Sequence, residues 1–386
     1  MQSLGTAHLS KEEIARYGRH LIMPEIGSEG QKKLKASSVL VVGVGGLGSP
    51  VAIYLGAAGV GTIGIVDSDS VDVSNLHRQI LYSTHDIGGP KARLTEQRIR
   101  GINPHIDVRA YASRLTSENA LEILKPYDVI LDGSDNFPTR YLVNDGCVFL
   151  KKPNVYGSVF RFEGQASVFS AEQGPCYRCL YPEPPPPELV QNCADTGVLG
   201  VLPGVIGSIQ AVEALKILLG IGTPLLGRVL FFDALNMSFR EIRLRKNPQC
   251  LVCGDHASIT TLIEYEQFCG VRPAREGGKA GKLPEISVQD LKAGLERGDD
   301  LFLLDVREPG EHQFVDMGGY PIPLRELPAR LHELDQSREI VVYCHHGTRS
   351  AHAVSFLLGK GYQQVRNLVG GIDQWAIQID PSLPRY

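Results

Sequence analysis

Little separates the charges of this chain: 39 Lys and Arg stand against 43 Asp and Glu, a net charge of −4 over 386 residues. The two signs are mixed, with no basic or acidic tail, so nothing in them draws the chain to nucleic acid. Long apolar runs are missing too. The most apolar stretch, 198–219, contains Pro203, Gln210, Glu213 and Lys216, which suits a buried helix and not a membrane span. No apolar signal-peptide core follows Met1. With no such leader, eight cysteines point to a reducing cytoplasm, where they serve metal or catalysis rather than disulfides. No internal repeat is found. The length allows two domains, each with its own core.

What is present alternates. Ser10 and Glu13 form a capping box that opens a helix over 10–19. Residues 38–42 read as an apolar strand, followed by a glycine loop and a helix through Ala58. Strands are expected at 62–66, 106–111 and 127–131, with a helix at 90–100 that has proline in its first turn. Alternating strands and helices indicate a doubly wound parallel sheet. Further strands, antiparallel in sense, are expected at 162–170 and 228–233, and a helix at 200–220. The glycine-rich stretch 272–281 has no periodicity and reads as a flexible linker. A second α/β unit follows, with a helix capped by Ser287 and strands at 301–304 and 339–343.

Gly43-Val44-Gly45-Gly46-Leu47-Gly48 closes a strand and opens a helix, the setting in which backbone N–H groups cradle a phosphate. Asp67 ends the next strand about twenty residues on, where a carboxylate binds ribose hydroxyls. Alone, this pattern predicts a dinucleotide and an NAD-dependent oxidoreductase. Asn75, Arg78 and Lys91 argue for a more highly charged triphosphate. Asp135, just past a strand end, suits Mg²⁺ beside phosphates. Taken one at a time, Arg78 and Lys91 also read as solvated charges, and Asp135 as a turn cap.

Two cysteine pairs, Cys176-x-x-Cys179 and Cys250-x-x-Cys253, have zinc-ligand spacing and together would close a structural Cys₄ site. The alternatives are redox motifs or disulfides. Cys193 sits in a polar stretch after a proline-rich loop and reads as accessible, in a functional role or as a quiet thiol. Cys147 reads as core, and Cys269 has no evident partner. Near the C-terminus a strand runs into Cys344-His345-His346-Gly347-Thr348-Arg349-Ser350 and then a helix. A cysteine among N–H groups at a helix N-terminus, with a guanidinium nearby, is set up as a thiolate.

Two family resemblances follow from these motifs. The Cys344 loop, with Asp305-Val306-Arg307-Glu308 and Gly370-Gly371-Ile372-Asp373-Gln374-Trp375, resembles the rhodanese sulfurtransferases; Trp375 itself reads as core. That resemblance implies a persulfide on Cys344, with Arg349 in its anion-binding loop. Tyrosine phosphatases have a similar loop one residue longer between Cys and Arg. Residues 10 to about 255 resemble the ThiF/MoeB adenylyltransferases, related to ubiquitin-activating enzymes. The likeness runs through Arg16-Tyr17-Gly18-Arg19, Gly43 to Gly48, Asp67-Ser68-Asp69, Asn75 to Gln79, Lys91, Asp132 to Asn136 and both cysteine pairs. It implies ATP and Mg²⁺ as ligands, structural Zn²⁺, Asp67 on the ribose, and Asn75, Arg78 and Lys91 on the phosphates. Asp135 would hold Mg²⁺ or position ATP. Arg19 would reach the nucleotide site of a partner subunit in a homodimer.

The expected architecture is therefore α/β: a Rossmann-like, mostly parallel adenylation domain over 1–270, a linker over 271–283 and a smaller rhodanese domain over 284–386. The implied substrate is a ubiquitin-like sulfur-carrier protein ending in Gly-Gly. The implied sulfur donor is thiosulfate or a cysteine desulfurase persulfide. The implied reaction is adenylation of the carrier's carboxylate, attack by the Cys344 persulfide, and release of a thiocarboxylate by a thiol such as Cys193. One alternative is activation for conjugation, with Cys193 as thioester site.

Overall fold

A computed structural model describes residues 8–185, 197–269 and 283–385. The chain divides into two compact units, Met1–Pro273 and Ala274–Tyr386. The 271–283 linker lies, except for Leu283, outside the described residues.

In the first unit, β1 (Ser38–Val42), β2 (Thr62–Val66), β3 (Asp107–Tyr111), β4 (Val129–Asp132) and β5 (Asn154–Phe160) lie in one sheet. It continues through β6 (Glu163–Phe169), β7 (Arg228–Asp233) and β8 (Ser238–Arg243), in the order β3-β2-β1-β4-β5-β6-β7-β8. Pairings among β1 to β5 are parallel, and those from β5 to β8 are antiparallel. All four residues of β4 are buried, as expected of a strand covered on both faces. The strand order reverses between β1 and β4. Open α/β sheets bind their ligands at the strand ends beside such a reversal. There the Gly43 N–H donates to Val66 O, and the Gly133 N–H donates to Val42 O, both at 2.8 Å.

The helices that bear on this edge are α1 (Gly48–Ala58), α2 (Lys91–Ile102), α3 (Phe137–Leu150) and α4 (Leu202–Leu219). By length and composition α4 could cross a membrane, but half of that window is buried. Its Gln210 amide donates to Asp132 O at 2.8 Å and Val155 O at 3.1 Å, and Glu213 accepts from Leu225 N at 2.7 Å. Such hydrogen-bonded polar groups belong to a core helix packed on a sheet.

Several sequence expectations shift. The capping box at Ser10 and Glu13 forms, but the helix over 10–19 breaks at Tyr17 into Lys11–Arg16 and Gly18–Leu21. Tyr17 is buried, and its hydroxyl accepts from Asn103 Nδ2 at 2.8 Å. Pro90 is the N-cap of α2 and not part of its first turn. Strands β5 and β8 had no clear sequence signal. Gly157 interrupts β5, where the Gln210 side chain would lie only 2.5 Å from an added Cβ. Every residue of β8 is exposed, so no apolar alternation marks it.

The second unit is a parallel sheet of β9 (Glu285–Ile286), β10 (Leu301–Asp305), β11 (Tyr320–Pro321), β12 (Glu339–Tyr343) and β13 (Val365–Leu368), ordered β11-β10-β12-β13-β9. Its helices are α5 (Val288–Arg297), α6 (Pro309–Phe314), α7 (Thr348–Gly359) and α8 (Gly371–Gln378). Ser287 caps α5, its side chain accepting from Asp290 N.

Candidate functional site

A cleft of about 370 Å³ opens at the β1/β4 reversal. Gly43, Gly45, Gly46, Asp67, Arg78, Lys91 and Asp135 all line it, as do Asp69, Gln79 and Arg114. Gly43 has φ +81°, a region that favours glycine. An added Cβ there would lie 3.0 Å from Gly133 O, and one on Gly133 would lie 2.7 Å from Gly43 O. The two strand-end loops thus touch backbone to backbone. Tyr82 supports the glycine loop from below, donating to Val44 O at 2.9 Å.

Asp67 accepts from Val44 N at 2.9 Å and Asp69 N at 2.8 Å. Burial nevertheless pushes its carboxyl above the ordinary range, against the lowering effect of those N–H groups. Lys91 is 5% exposed, and its Nζ lies 3.0 Å from Asp69 Oδ2. Arg78 donates to Ser74 O at 2.9 Å. Asp135 is exposed at the cleft.

Three expected site residues do not line this cleft. Gly48 acts through packing, since a Cβ there would collide with Gly43 O. Gly48→Ala is therefore expected to destabilise the first unit by about 3 kcal/mol, read from urea unfolding midpoints. Asn75 spends its side-chain oxygen on Asp72 N at 3.3 Å, closing a local cap. Arg19 is exposed on Gly18–Leu21.

Arg140 was not anticipated as a site residue. It is buried, donates to Ser134 O at 3.2 Å, and lies over the rings of Phe137 and Tyr156. It braces the Asp132-to-Asp135 loop from α3. The sequence offers no sign of it beyond one arginine in an apolar helix.

The four cysteines of the two pairs converge. Cys176 and Cys179 Sγ lie 3.9 Å apart, Cys176 and Cys250 3.6 Å, and Cys179 and Cys253 3.4 Å. These separations are too long for S–S bonds and close to the ~3.8 Å edge of a tetrahedron of thiolates about a zinc ion. The donor set fits zinc. Arg178, between the first pair, is fully buried and grips Asp145 of α3 with bonds of 2.8 to 3.2 Å. Tyr265 adds a bond to Asp145 at 2.8 Å. Cys147 and Cys269 are core residues, as burial requires; it pushes the Cys269 thiol up to about 11. Cys193 lies outside the described residues.

In the second unit Cys344 directly follows β12 and is 1% exposed. Its Sγ accepts from Gly347 N at 3.2 Å and from Ser350 Oγ at 3.4 Å. Gly347, at φ +94°, caps the start of α7. The N-terminus of α8 holds the loop from outside: Ile372 N donates to Cys344 O at 2.9 Å and Asp373 N to His345 O at 3.1 Å. Arg349, expected in the anion-binding loop, has both terminal nitrogens on Glu311, at 2.6 and 2.7 Å. Asp305 is structural, held by Arg307 Nε at 2.9 Å and Nη2 at 2.6 Å.

A profile of the ThiF family matches residues 17–252, well over half of the chain. The chain belongs to the ThiF family. A rhodanese-like domain profile matches 287–378. Among relatives of this ThiF-family chain, the probable adenylyltransferase/sulfurtransferase MoeZ of Mycobacterium tuberculosis is 48% identical, over 98% of this chain and 96% of that one. The adenylyltransferase and sulfurtransferase MOCS3 of Anopheles gambiae is 44% identical, over 98% and 90%. The sulfur carrier protein adenylyltransferase of Thermus thermophilus is 58% identical, over 68% of this chain and 99% of that one. A crystal structure of Escherichia coli MccB with ATP shares the fold, with TM-score 0.55 and 22% identity over 62% of this chain and 74% of that one. ThiF adenylyltransferases use ATP, so family membership sets aside the NAD reading of the glycine loop.

Proposed function

We propose that this chain adenylates the C-terminal Gly-Gly carboxylate of a ubiquitin-like sulfur-carrier protein and then converts it to a thiocarboxylate with sulfur from Cys344. One observation carries the reading: a ThiF nucleotide cleft and a cysteine cradle stand in one chain, as in full-length relatives named adenylyltransferase/sulfurtransferase.

The carrier's carboxylate attacks the α-phosphorus of ATP, giving an acyl-adenylate and pyrophosphate. Positioning and charge neutralisation supply the catalysis. Backbone N–H groups of the Gly43–Gly48 loop, Arg78 and Lys91 hold phosphates, and Asp67 takes the ribose. Asp135, an exposed carboxylate on the cleft, is a fitting Mg²⁺ ligand; the ion would neutralise phosphate charge. The Cys344 persulfide then attacks the acyl carbon. AMP leaves, and an acyl disulfide to Cys344 forms. A second thiol, for which we choose Cys193, attacks Cys344 Sγ. It forms a disulfide with Cys344 and expels the thiocarboxylate, and an external dithiol resets the pair. Arg19, exposed away from the cleft of its own chain, is assigned to a partner's nucleotide site in a homodimer. A cytoplasmic setting, where cysteine pairs serve metal rather than disulfides, belongs to the same reading.

Pyrophosphate exchange into ATP that depends on a Gly-Gly-ended carrier tests the first step. Its absence with every such carrier would reject the reading. The four-cysteine cluster is assigned to structural zinc. Metal analysis is expected to find about one zinc per chain. Chelation is expected to lower the unfolding temperature of the first unit by about 10 °C. A chain that is metal-free as purified and equally stable would contradict the assignment.

A further inference from the structure

We propose that Glu311 sets the donor specificity of the Cys344 cradle: by holding Arg349 it leaves the cradle with no surplus positive charge, so sulfur enters from a persulfide of low net charge rather than from a small dianion such as thiosulfate. The inference rests on the reading of Cys344 as the persulfide carrier.

The loop 344–350 contains one permanently charged side chain, Arg349. Its guanidinium makes a fork-to-fork pair with Glu311, at 2.6 and 2.7 Å, and the two side chains are 11% and 18% exposed. Such planar bidentate pairs are among the strongest that arginine forms. Glu311 is itself fixed. Its Oε2 also accepts from Glu308 N at 3.0 Å, as the reciprocal half of the capping box that starts α6. The carboxylate is therefore preset by a second helix and not recruited from solvent.

His345 does not restore the charge. His345 is buried, and burial pushes its imidazole down to about 4, so it is neutral near pH 7. His346 stands 3.9 Å from Asp373, whose carboxylate Arg385 binds at 2.7 Å. The fixed charges beside the loop thus come as matched pairs, Glu311 with Arg349 and Asp373 with Arg385. What faces the sulfur is dipolar: the Gly347 N–H, the Ser350 hydroxyl and the start of α7. Dipoles of this size suit one sulfur-centred negative charge. A thiosulfate dianion brings two more, and its loading step must also release sulfite. In the favoured step the Cys344 thiolate attacks the terminal sulfur of R–S–SH. The sulfane sulfur and its proton move to Cys344, the S–S bond of the donor breaks, and R–S⁻ leaves, with no net oxidation.

The full chain is loaded with either thiosulfate or cysteine persulfide, whose ammonium group offsets one of its negative charges. Persulfide on Cys344 is counted by mass spectrometry. For the wild type, kcat/KM with thiosulfate is expected to be at least about tenfold lower. Glu311→Gln keeps the cap of α6, where glutamine serves as well as glutamate, and releases the guanidinium. Thiosulfate loading is then expected to rise about tenfold, mainly through KM, while cysteine persulfide loading changes less than about twofold. Adding Arg349→Met should remove the gain. Equal loading of the wild type from both donors overturns the inference without any variant, as does a gain that survives Arg349→Met. No persulfide on Cys344 from either donor would instead defeat the carrier reading beneath it.

Discussion

Cys344→Ser should abolish thiocarboxylate formation, by about a thousandfold or more, while carrier-dependent pyrophosphate exchange stays within about twofold of wild type. Serine keeps the acceptor for Gly347 N and Ser350 Oγ, so the loop has no reason to collapse. It cannot carry a sulfane sulfur, and no other described cysteine offers a substitute. Cys147 and Cys269 are buried in the first unit's core, and Cys176, Cys179, Cys250 and Cys253 are gathered on one another. In the proposed reaction adenylation uses groups of the first unit alone, and the two units are separately compact. Thiocarboxylate formation with sulfide added directly should bypass the lesion. Loss of exchange together with sulfur transfer would mean that the two chemistries are not divided as proposed.

Lys91→Ala is expected to reduce pyrophosphate exchange by about a hundred- to a thousandfold, with kcat falling more than ATP affinity. The Lys91 ammonium is nearly buried and lies 3.0 Å from Asp69. On the proposed reading, that low-dielectric position would let it act on the pentavalent phosphorus charge more strongly than a solvated lysine could. Its removal also leaves the Asp69 carboxylate unopposed beside the phosphates. Lys91→Arg should recover little, because a planar fork does not fit where a compact ammonium sat. Steady-state exchange at saturating ATP, compared with equilibrium ATP binding, separates the two effects. Equal losses in both would make Lys91 a binding residue only.

Local placement was legible in the sequence wherever it depended on neighbours along the chain. The glycine loop after β1, Asp67 at the end of β2, Lys91 opening α2, and the Cys-x-x-Cys pairs all occupy the expected places. The α/β class followed from alternating periodicities, and the antiparallel sense of β6 and β7 held as well. Legibility failed where function depends on pairs distant in sequence. Arg140 reads as an odd charge in an apolar helix until the fold brings Ser134 O beneath it. Arg178 looks like a spacer between two cysteines, yet it anchors that motif to Asp145. The pairing of Arg349 escaped too, because nothing near it in sequence announces Glu311. Strand β8 escaped because an exposed edge carries no apolar alternation.

One conversion carries the proposed function. The full chain is incubated with MgATP, cysteine persulfide and a Gly-Gly-ended carrier, and the intact carrier is weighed by mass spectrometry. The carrier is expected to gain the mass of one oxygen-to-sulfur exchange, dependent on both ATP and Cys344. A carrier that stays a carboxylate while ATP is turned over, or one thiolated without ATP, would contradict it.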